Sequence, residues 1–319
     1  MLDFSNIRVL VCGDICLDIM EEGISTRLSP EAPVPVILNP TKKYSLGMAG
    51  NVAVNLSNLG AETYISGYIG VKDSQDSNKI YKLLDENNIK YIKRDIHVKT
   101  NEEVGTIIKK RIFANNNQIA RLDYEKFDGE NFYWLEGLKK VFEIYDTNFF
   151  DFIIISDYNK GFINKQSWQF MRPVLEKYNK SGLFFVDTKK TDILNYYEGM
   201  IPFPNKKEME NILEANDYMT RYELLREMDI PFMIETLSEE GSRIITKGAI
   251  YHDKPIVKDI IDVTGAGDTY ISAFSLYYYK FNNYYRAQRF ANYCCSKVIT
   301  KKGTIPITLE EVIDFDSKN

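Results

Sequence analysis

The sequence predicts an α/β chain: an open, doubly wound, mostly parallel sheet with helices on both faces, plus a small β-sheet lid. Three observations carry this prediction. Short apolar runs stop at a polar residue, helix-length amphipathic segments lie between them, and two β-rich stretches interrupt the alternation. The runs are Val9–Cys12 before Gly13-Asp14, Phe152–Ile155 before Ser156-Asp157, Leu183–Val186 before Asp187, and Phe232–Ile234 before Glu235-Thr236. Uninterrupted apolar runs of this length suit parallel strands buried on both faces. Ligands of such sheets bind beyond the strand carboxyl ends, which is where Asp14, Asp157 and Asp187 are expected.

Between the strands, Asn51–Leu59 reads as a helix with Val52, Leu56 and Leu59 on one face and Gly60 as its C′ residue. Tyr270–Tyr279 reads as another. The first interruption, residues 24–46, holds Pro30, Pro33, Pro35 and Pro40, and Pro33-Val34-Pro35-Val36 is expected to be extended at a sheet edge. The second, residues 91–124, reads as β-rich, with Thr106-Ile107-Ile108 and Arg111-Ile112-Phe113, a turn at Asn115-Asn116-Asn117, then Gln118–Leu122. Residues of about 16–46 and 91–124 are expected to form a lid over the strand ends of a single domain spanning 1–319.

Composition narrows the function. Lys and Arg total 40 against 45 Asp and Glu, a formal charge of −5 with no long basic run, which argues against nucleic acid as a partner. Cys12, Cys16, Cys294 and Cys295 lack the C-x-x-C spacing of zinc or redox sites and read as reduced thiols. With His97 and His252 alone, a multi-histidine metal site is excluded and a Ser-His-Asp hydrolase is disfavoured. Neither a secretory leader nor an apolar stretch of about 18 residues is present, so a cytoplasmic protein with no membrane span is expected.

The most informative segment is Asp262-Val263-Thr264-Gly265-Ala266-Gly267-Asp268-Thr269, leading into a helix. Glycines before a helix let an anion approach the free amides and the positive end of the helix dipole, so the string reads as a phosphate cradle. A carboxylate beside bound phosphate needs a task to offset repulsion, and taking the proton of an attacking hydroxyl is one. A Rossmann fingerprint fails because Tyr270 stands where its last glycine belongs, and a Walker A loop fails because no Gly-Lys dipeptide occurs.

Asp262–Thr269 resembles the signature of the ribokinase-like sugar kinases of phosphofructokinase B type. Gly13–Asp18, Ser29–Val36, Asn117-Gln118 with Arg121-Leu122-Asp123, and Ser156-Asp157-Tyr158-Asn159-Lys160-Gly161 are similar to segments of the branch acting on D-glycero-β-D-manno-heptose 7-phosphate. The resemblance implies an ATP-dependent kinase with Asp268 as base and the amides of Gly265, Ala266 and Gly267 as anion hole. The same reading implies Asp14, Asp18, Gly47, Asn51 and Asp157 around the sugar. Lys160, Lys189, Arg111 and Arg121 are candidates for a phosphate the sugar already carries, and Lys189 also for the nucleotide.

Asn205 and Glu208 match the family's Asn-x-x-Glu pair, which orders Mg²⁺ and its waters, although four such residues alone more often start a helix. Thr236, Gly241, Thr264 and Asn292 are implied near ATP, with adenine over apolar residues near Val257–Ile261 and beside Ala291-Asn292. Carbonyls around Asp262 and Thr264 are implied for a monovalent cation such as K⁺. Met48 and Ser238 stand where the family carries glycine. A homodimer through the lid and a separate adenylyltransferase acting downstream are also expected. Other acceptors open to the same family are those of ribokinase, fructokinase or a nucleoside kinase, and a non-catalytic sugar- or nucleotide-binding regulator is the reading outside enzymology.

Overall fold

The computed structural model describes residues 2–70, 74–91, 105–125, 142–217, 219–255 and 259–315. His97, Val257 and the 92–104 part of the expected lid lie outside these residues.

Strand β1, Arg8–Ile24, is the axis of the molecule. Its first half pairs in parallel with β3 (Glu62–Tyr68) on one side and β7 (Phe152–Asp157) on the other. With β4 (Lys90-Tyr91), β8 (Phe184–Thr188) and β9 (Ile201-Pro202), these strands run parallel in the order β4-β3-β1-β7-β8-β9. Alternation along the strands sorts their side chains into two cores. Val9, Val11, Phe152 and Ile154 face helices α1 (Ala49–Asn58) and α7 (Ala266–Phe281) through Val52, Leu56, Ile271 and Phe274. Leu10, Cys12, Ile153 and Ile155 face α3 (Lys165–Tyr178) through Trp168, Met171 and Leu175. Burial on both faces is why these strands read as continuous apolar runs.

Helix α1 ends as the sequence predicts. Gly60 has φ 101° and donates to Ser57 O while Ala61 donates to Leu56 O, so two carbonyls of the last turn are satisfied. Between α2 (Gln75–Glu86) and the rest, Ser74 supplies the N-cap.

From Cys16 onward β1 leaves the central sheet and becomes the spine of a second set of ladders. It pairs antiparallel with β2 (Leu38–Met48) and parallel with β5 (Ile107–Ala114), which forms a hairpin with β6 (Asn117–Tyr124). The hairpin turn is Asn115-Asn116, both with positive φ (49° and 67°), the pairing that matches strand twist in two-residue turns. Two expectations are corrected. Asp14 and Asp18, expected on a strand end and just beyond it, both lie inside β1. Pro33–Val36 forms no strand: Pro35 makes one isolated bridge to Leu28 in an otherwise bent, exposed segment, because proline cannot sustain a ladder.

A third correction concerns β10, Phe232–Thr236. Its ladder is antiparallel, with β11 (Ser242–Thr246) and then β12 (Ile250–Asp253), and it reaches the central sheet through a single bridge from Thr236 to Asn205. The apolar run conveyed burial but not partner direction. Helices α7 and α8 (Tyr284–Val298) pack together, with Tyr277 against Phe281, Phe290 and Phe315, so that aromatic cluster is helix packing.

Candidate active site

The string Asp262–Thr269 folds as a closed turn followed by a helix start. Asp262 accepts the amide of Thr264 at 2.9 Å through Oδ1 and the amide of Gly303 at 2.9 Å through Oδ2. Gly265 then takes φ 80°, and α7 begins at Ala266 with no side chain capping its amides. A Cβ at Gly265 would sit 2.7 Å from Asn51 Nδ2 and 2.8 Å from Thr304 Cγ2, whereas one at Gly267 meets nothing within 4 Å. The helix N-terminus is therefore tight on the side of α1 and open on the other.

Asp268, in the first turn of α7, is only 5% exposed. Asn51 Nδ2 donates to its Oδ2 at 2.7 Å, and the Tyr158 hydroxyl donates to its Oδ1 at 2.9 Å. Asn51 is held in turn by Asn55, whose amide donates to Asn51 O at 2.8 Å and whose Oδ1 accepts from Thr269 Oγ1 at 3.1 Å. Burial pushes the Asp268 carboxyl up to about 7; the bonds from Asn51 and Tyr158 pull the other way, and the charge of Asp187 adds to the rise. A carboxylate poised there is matched to proton abstraction near neutral pH.

At the carboxyl end of the core part of β1, Asp14 is 2% exposed and accepts the amides of Lys160 (3.1 Å) and Phe162 (3.3 Å). Burial, then the charge of Asp157, raises it to about 6. Asp157 is fully buried and fully engaged: Asn159 N (2.9 Å), Thr188 Oγ1 (3.1 Å), Lys190 Nζ (3.0 Å) and the hydroxyl of Tyr197, the last residue of α4 (Ile193–Tyr197), all donate to it. Such a carboxylate supports the floor of the site rather than offering free lone pairs. Asp18 pairs with Arg111 at 3.0 Å, and a Cβ at Gly47 would lie 2.4 Å from Asp18 Oδ2. Met48, in the place of a glycine, takes φ 57° and ψ −132°, and Ser238 likewise takes φ 54°.

Lys189 links two carboxylates, Asp187 at 3.1 Å and Glu208 at 2.6 Å, and its Nζ lies 5.1 Å from the centre of the Tyr158 ring. Burial raises the Asp187 carboxyl, the charges of Glu208 and Asp157 add to the rise, and Lys189 tempers it. Lys160 pairs with Glu125 at 2.6 Å. A polar cavity of about 600 Å³ opens beside these groups, lined by Asn159, Lys160, Lys189, Lys190 and Tyr196. Arg121 forms a two-bond pair with Asp123 on its own strand, both at 2.8 Å.

Asn205 and Glu208 form a reciprocal capping box at the start of α5 (Lys206–Ala215): Asn205 Oδ1 accepts from Glu208 N and Glu208 Oε2 accepts from Asn205 N, each at 2.9 Å. Among the described residues no group of three or more His, Cys, Asp or Glu side chains is placed to hold a metal ion. With one Glu208 oxygen on the cap and the other on Lys189, the donors suit a Mg²⁺ held through its waters and phosphate oxygens rather than in a protein cage. Thr236 donates its amide to Pro204 O, and Gly241 (φ 81°) accepts from Leu237 N. Asn292 is buried, its amide given to Ser242 Oγ, Asp253 O and Asp253 Oδ2, and Ala291 is in the core. Ala291 and Asn292, implied beside adenine, lie where α8 is fastened to β11 and β12. Ile260, Ile261 and Val263 are exposed. His252 bonds Glu240 O at 2.7 Å.

Tyr158, Asn55 and Lys190 were not expected among the site's members. Tyr158 sits in the quoted Asp157–Gly161 string, but no spacing rule marks a tyrosine as a carboxylate's partner.

Comparison with known proteins agrees with this architecture. Residues 162–311 match the model of the pfkB family carbohydrate kinases. The bifunctional protein HldE of Helicobacter pylori strain Shi470 is 33% identical over 96% of this chain, which spans 65% of that protein's length. Phosphofructokinase-2 of Escherichia coli, solved with potassium, superposes with TM-score 0.72 at 14% identity, covering 100% of this chain and 99% of that one. Ribokinase of Arabidopsis thaliana, solved with ribose and ATP, gives TM-score 0.66 at 17% identity, covering 97% and 98%.

Proposed function

The chain belongs to the pfkB family of carbohydrate kinases, phosphotransferases that act on a sugar hydroxyl, and from that premise we propose that it transfers the γ-phosphoryl group of ATP to the anomeric hydroxyl of D-glycero-β-D-manno-heptose 7-phosphate. The observation that carries the reading is the buried Asp268, set between Asn51 and Tyr158 at the uncapped N-terminus of α7.

In the proposed step the Asp268 carboxylate accepts the proton of the acceptor hydroxyl. The oxygen forms a bond to the γ-phosphorus as the bond to the bridging oxygen breaks, and ADP leaves with that electron pair. Amides of Gly265, Gly267 and Asp268 supply donors where negative charge gathers, joined by that of Ala266 once it exchanges Val263 O for the phosphoryl oxygen. Mg²⁺, ordered through water by Asn205 and Glu208, would neutralise phosphate charge when bound. A K⁺ ion on carbonyls near Asp262 and Thr264 is part of the same proposal.

Asp14 and Asn51 face the sugar in this reading, with Asp18, Gly47 and Asp157 shaping its bed. The acceptor's own phosphate is assigned to the lysine-lined cavity, where Lys160 would exchange Glu125 for the dianion, while Lys189 faces the nucleotide phosphates. Arg111 and Arg121 are the further cations on the β5–β6 hairpin. That hairpin with β2 is read as a lid whose exposed Ile24, Leu38, Ile119 and Leu122 pair with a second copy. Among the described residues no helix is long and apolar enough to cross a membrane.

The test is an acceptor panel with radiolabelled ATP. The heptose 7-phosphate should give the highest kcat/KM; preference for an unphosphorylated pentose, hexose or nucleoside would reassign the substrate within the family.

A further inference from the structure

Tyr158 joins three parts of the molecule that the sequence keeps far apart. Its hydroxyl donates to Asp268 at 2.9 Å. The Lys109 and Lys189 ammonium groups approach its ring, 5.2 and 5.1 Å from the centroid, Lys109 from β5 and Lys189 from the end of β8. The ring also packs on the small apolar cluster of Cys16, Met48 and Ile107, where β1, β2 and β5 meet.

We infer that Tyr158 is a positioning residue for Asp268: with Asn51 it clamps one carboxylate oxygen each, fixes the plane of the group, and sets its proton affinity. The inference rests on the reading of Asp268 as the base. A phenol that donates to a carboxylate favours the ionised form, because the bond weakens once the acid is protonated. Each oxygen keeps a second lone pair for the acceptor's proton. The other groups bearing on Asp268 are Asp187 and Lys189 from β8, Glu208 behind Lys189, Cys16 of β1, and Lys109 and Arg111 of β5 acting on Cys16. Tyr158 itself stays protonated, since burial and then Asp268 hold its hydroxyl well above the usual tyrosine range. The flanking ammonium groups are kept on the ring face by its quadrupole, which ties the donor's position to that of the β5 strand.

The experiment uses the full chain with carboxyl-¹³C aspartate, with the Asp268 resonance assigned by its absence in Asp268→Asn. In Tyr158→Phe the titration midpoint of Asp268 rises by about one pH unit, the size expected for losing one hydrogen bond to a charged group. The acid limb of kcat moves with it, so turnover falls about tenfold at pH 6.5 yet stays within about threefold at pH 9. An unmoved midpoint, or a loss of kcat equal at every pH, overturns the inference. Should Tyr158→Phe fail to fold, 3-fluorotyrosine at position 158 keeps the ring and strengthens the donor, and the midpoint then falls; no change overturns the inference equally. Near-full turnover by Asp268→Asn overturns the base assignment itself, an outcome separate from any result at Tyr158.

Discussion

Asn51, at the start of α1, reaches across 217 residues of sequence to donate a 2.7 Å hydrogen bond to Asp268 in the first turn of α7. That bond ties the two helices on one face of the central sheet at the point where both begin, and Gly265 is the residue that lets them approach.

Gly265 and Gly267 should therefore respond differently to alanine. Gly265→Ala forces a Cβ against Asn51 and Thr304 in a left-handed backbone conformation, and should cost about 1–3 kcal/mol of stability together with activity. Gly267→Ala meets no neighbour and gains up to about 1 kcal/mol of helix propensity. Its Tm should hold or rise while turnover drops, because the added methyl lines the face assigned to the phosphoryl group. Equal losses of Tm in the two variants would contradict this.

The buried, raised carboxyl of Asp268 has a stability signature. Its folded-state pKa of about 7 lies above the ordinary 3.8. The stability it contributes is complete below the ordinary value and is lost as pH rises through about 7. Asp268→Asn should melt higher than the unsubstituted protein at pH 8, by roughly 2–4 °C per kcal/mol recovered, and show little advantage at pH 4. Differential scanning fluorimetry across that range decides it; a Tm gain that is the same at both pH values speaks against a buried ionised group.

Glu235 carries the opposite sign. Although burial raises its carboxyl, the bonds from Arg221 and Arg243, at 2.8–3.0 Å, outweigh it and hold the group below the usual glutamate range. Its contribution is present above that range and lost as pH falls through the depressed value. Glu235 is fully buried, while the two arginines are about a quarter exposed, so the stranded guanidinium groups regain some water. Glu235→Gln should cost about 2–3 kcal/mol in urea unfolding at pH 7. A loss under about 0.5 kcal/mol, typical of a surface pair, would show that the clamp between α6 (Arg221–Glu227), β10 and β11 is not formed.

Met48 inverts a familiar ranking. Alanine outperforms glycine in a helix interior by about 0.5–1 kcal/mol, yet Met48 stands at the N-cap of α1 with its backbone at φ 57°, ψ −132°, where glycine is the better residue. Both substitutions remove the same buried thioether, but only glycine also removes the strain, worth about 1–3 kcal/mol. Met48→Gly should therefore be more stable than Met48→Ala by about 1 kcal/mol. Chemical denaturation of the pair settles the point, and alanine in the lead refutes the strain.

Much of the scaffold was legible because its causes are local. Apolar runs located β1, β7 and β8, Gly60 closed α1, and the Asn-rich turn located the β5–β6 hairpin. Non-local causes were not legible. Gly13-Asp14 looked like the end of a strand, yet β1 runs on to Ile24, 17 residues in all, because β2 and β5 supply new ladders for it. Phe232–Ile234 carried no mark of strand direction, and its β11 partner sets that direction. In the site, Asp268 stood out through the glycines that precede its helix, whereas Asn51, Asn205 and Glu208 were reached through the family resemblance. Tyr158, Asn55 and Lys190 stood out in neither way, since each matters through one partner brought near by the fold: Asp268, Asn51 and Asp157 respectively.

The most direct measurement compares turnover and nucleotide affinity in one variant. For Asp268→Asn, with Mg²⁺-ATP and the heptose 7-phosphate, the account predicts kcat lowered by about 10²- to 10⁴-fold while the Kd for ATP, read by calorimetry, changes less than about threefold. Turnover within about threefold of the unsubstituted enzyme, with ATP bound as before, would contradict it.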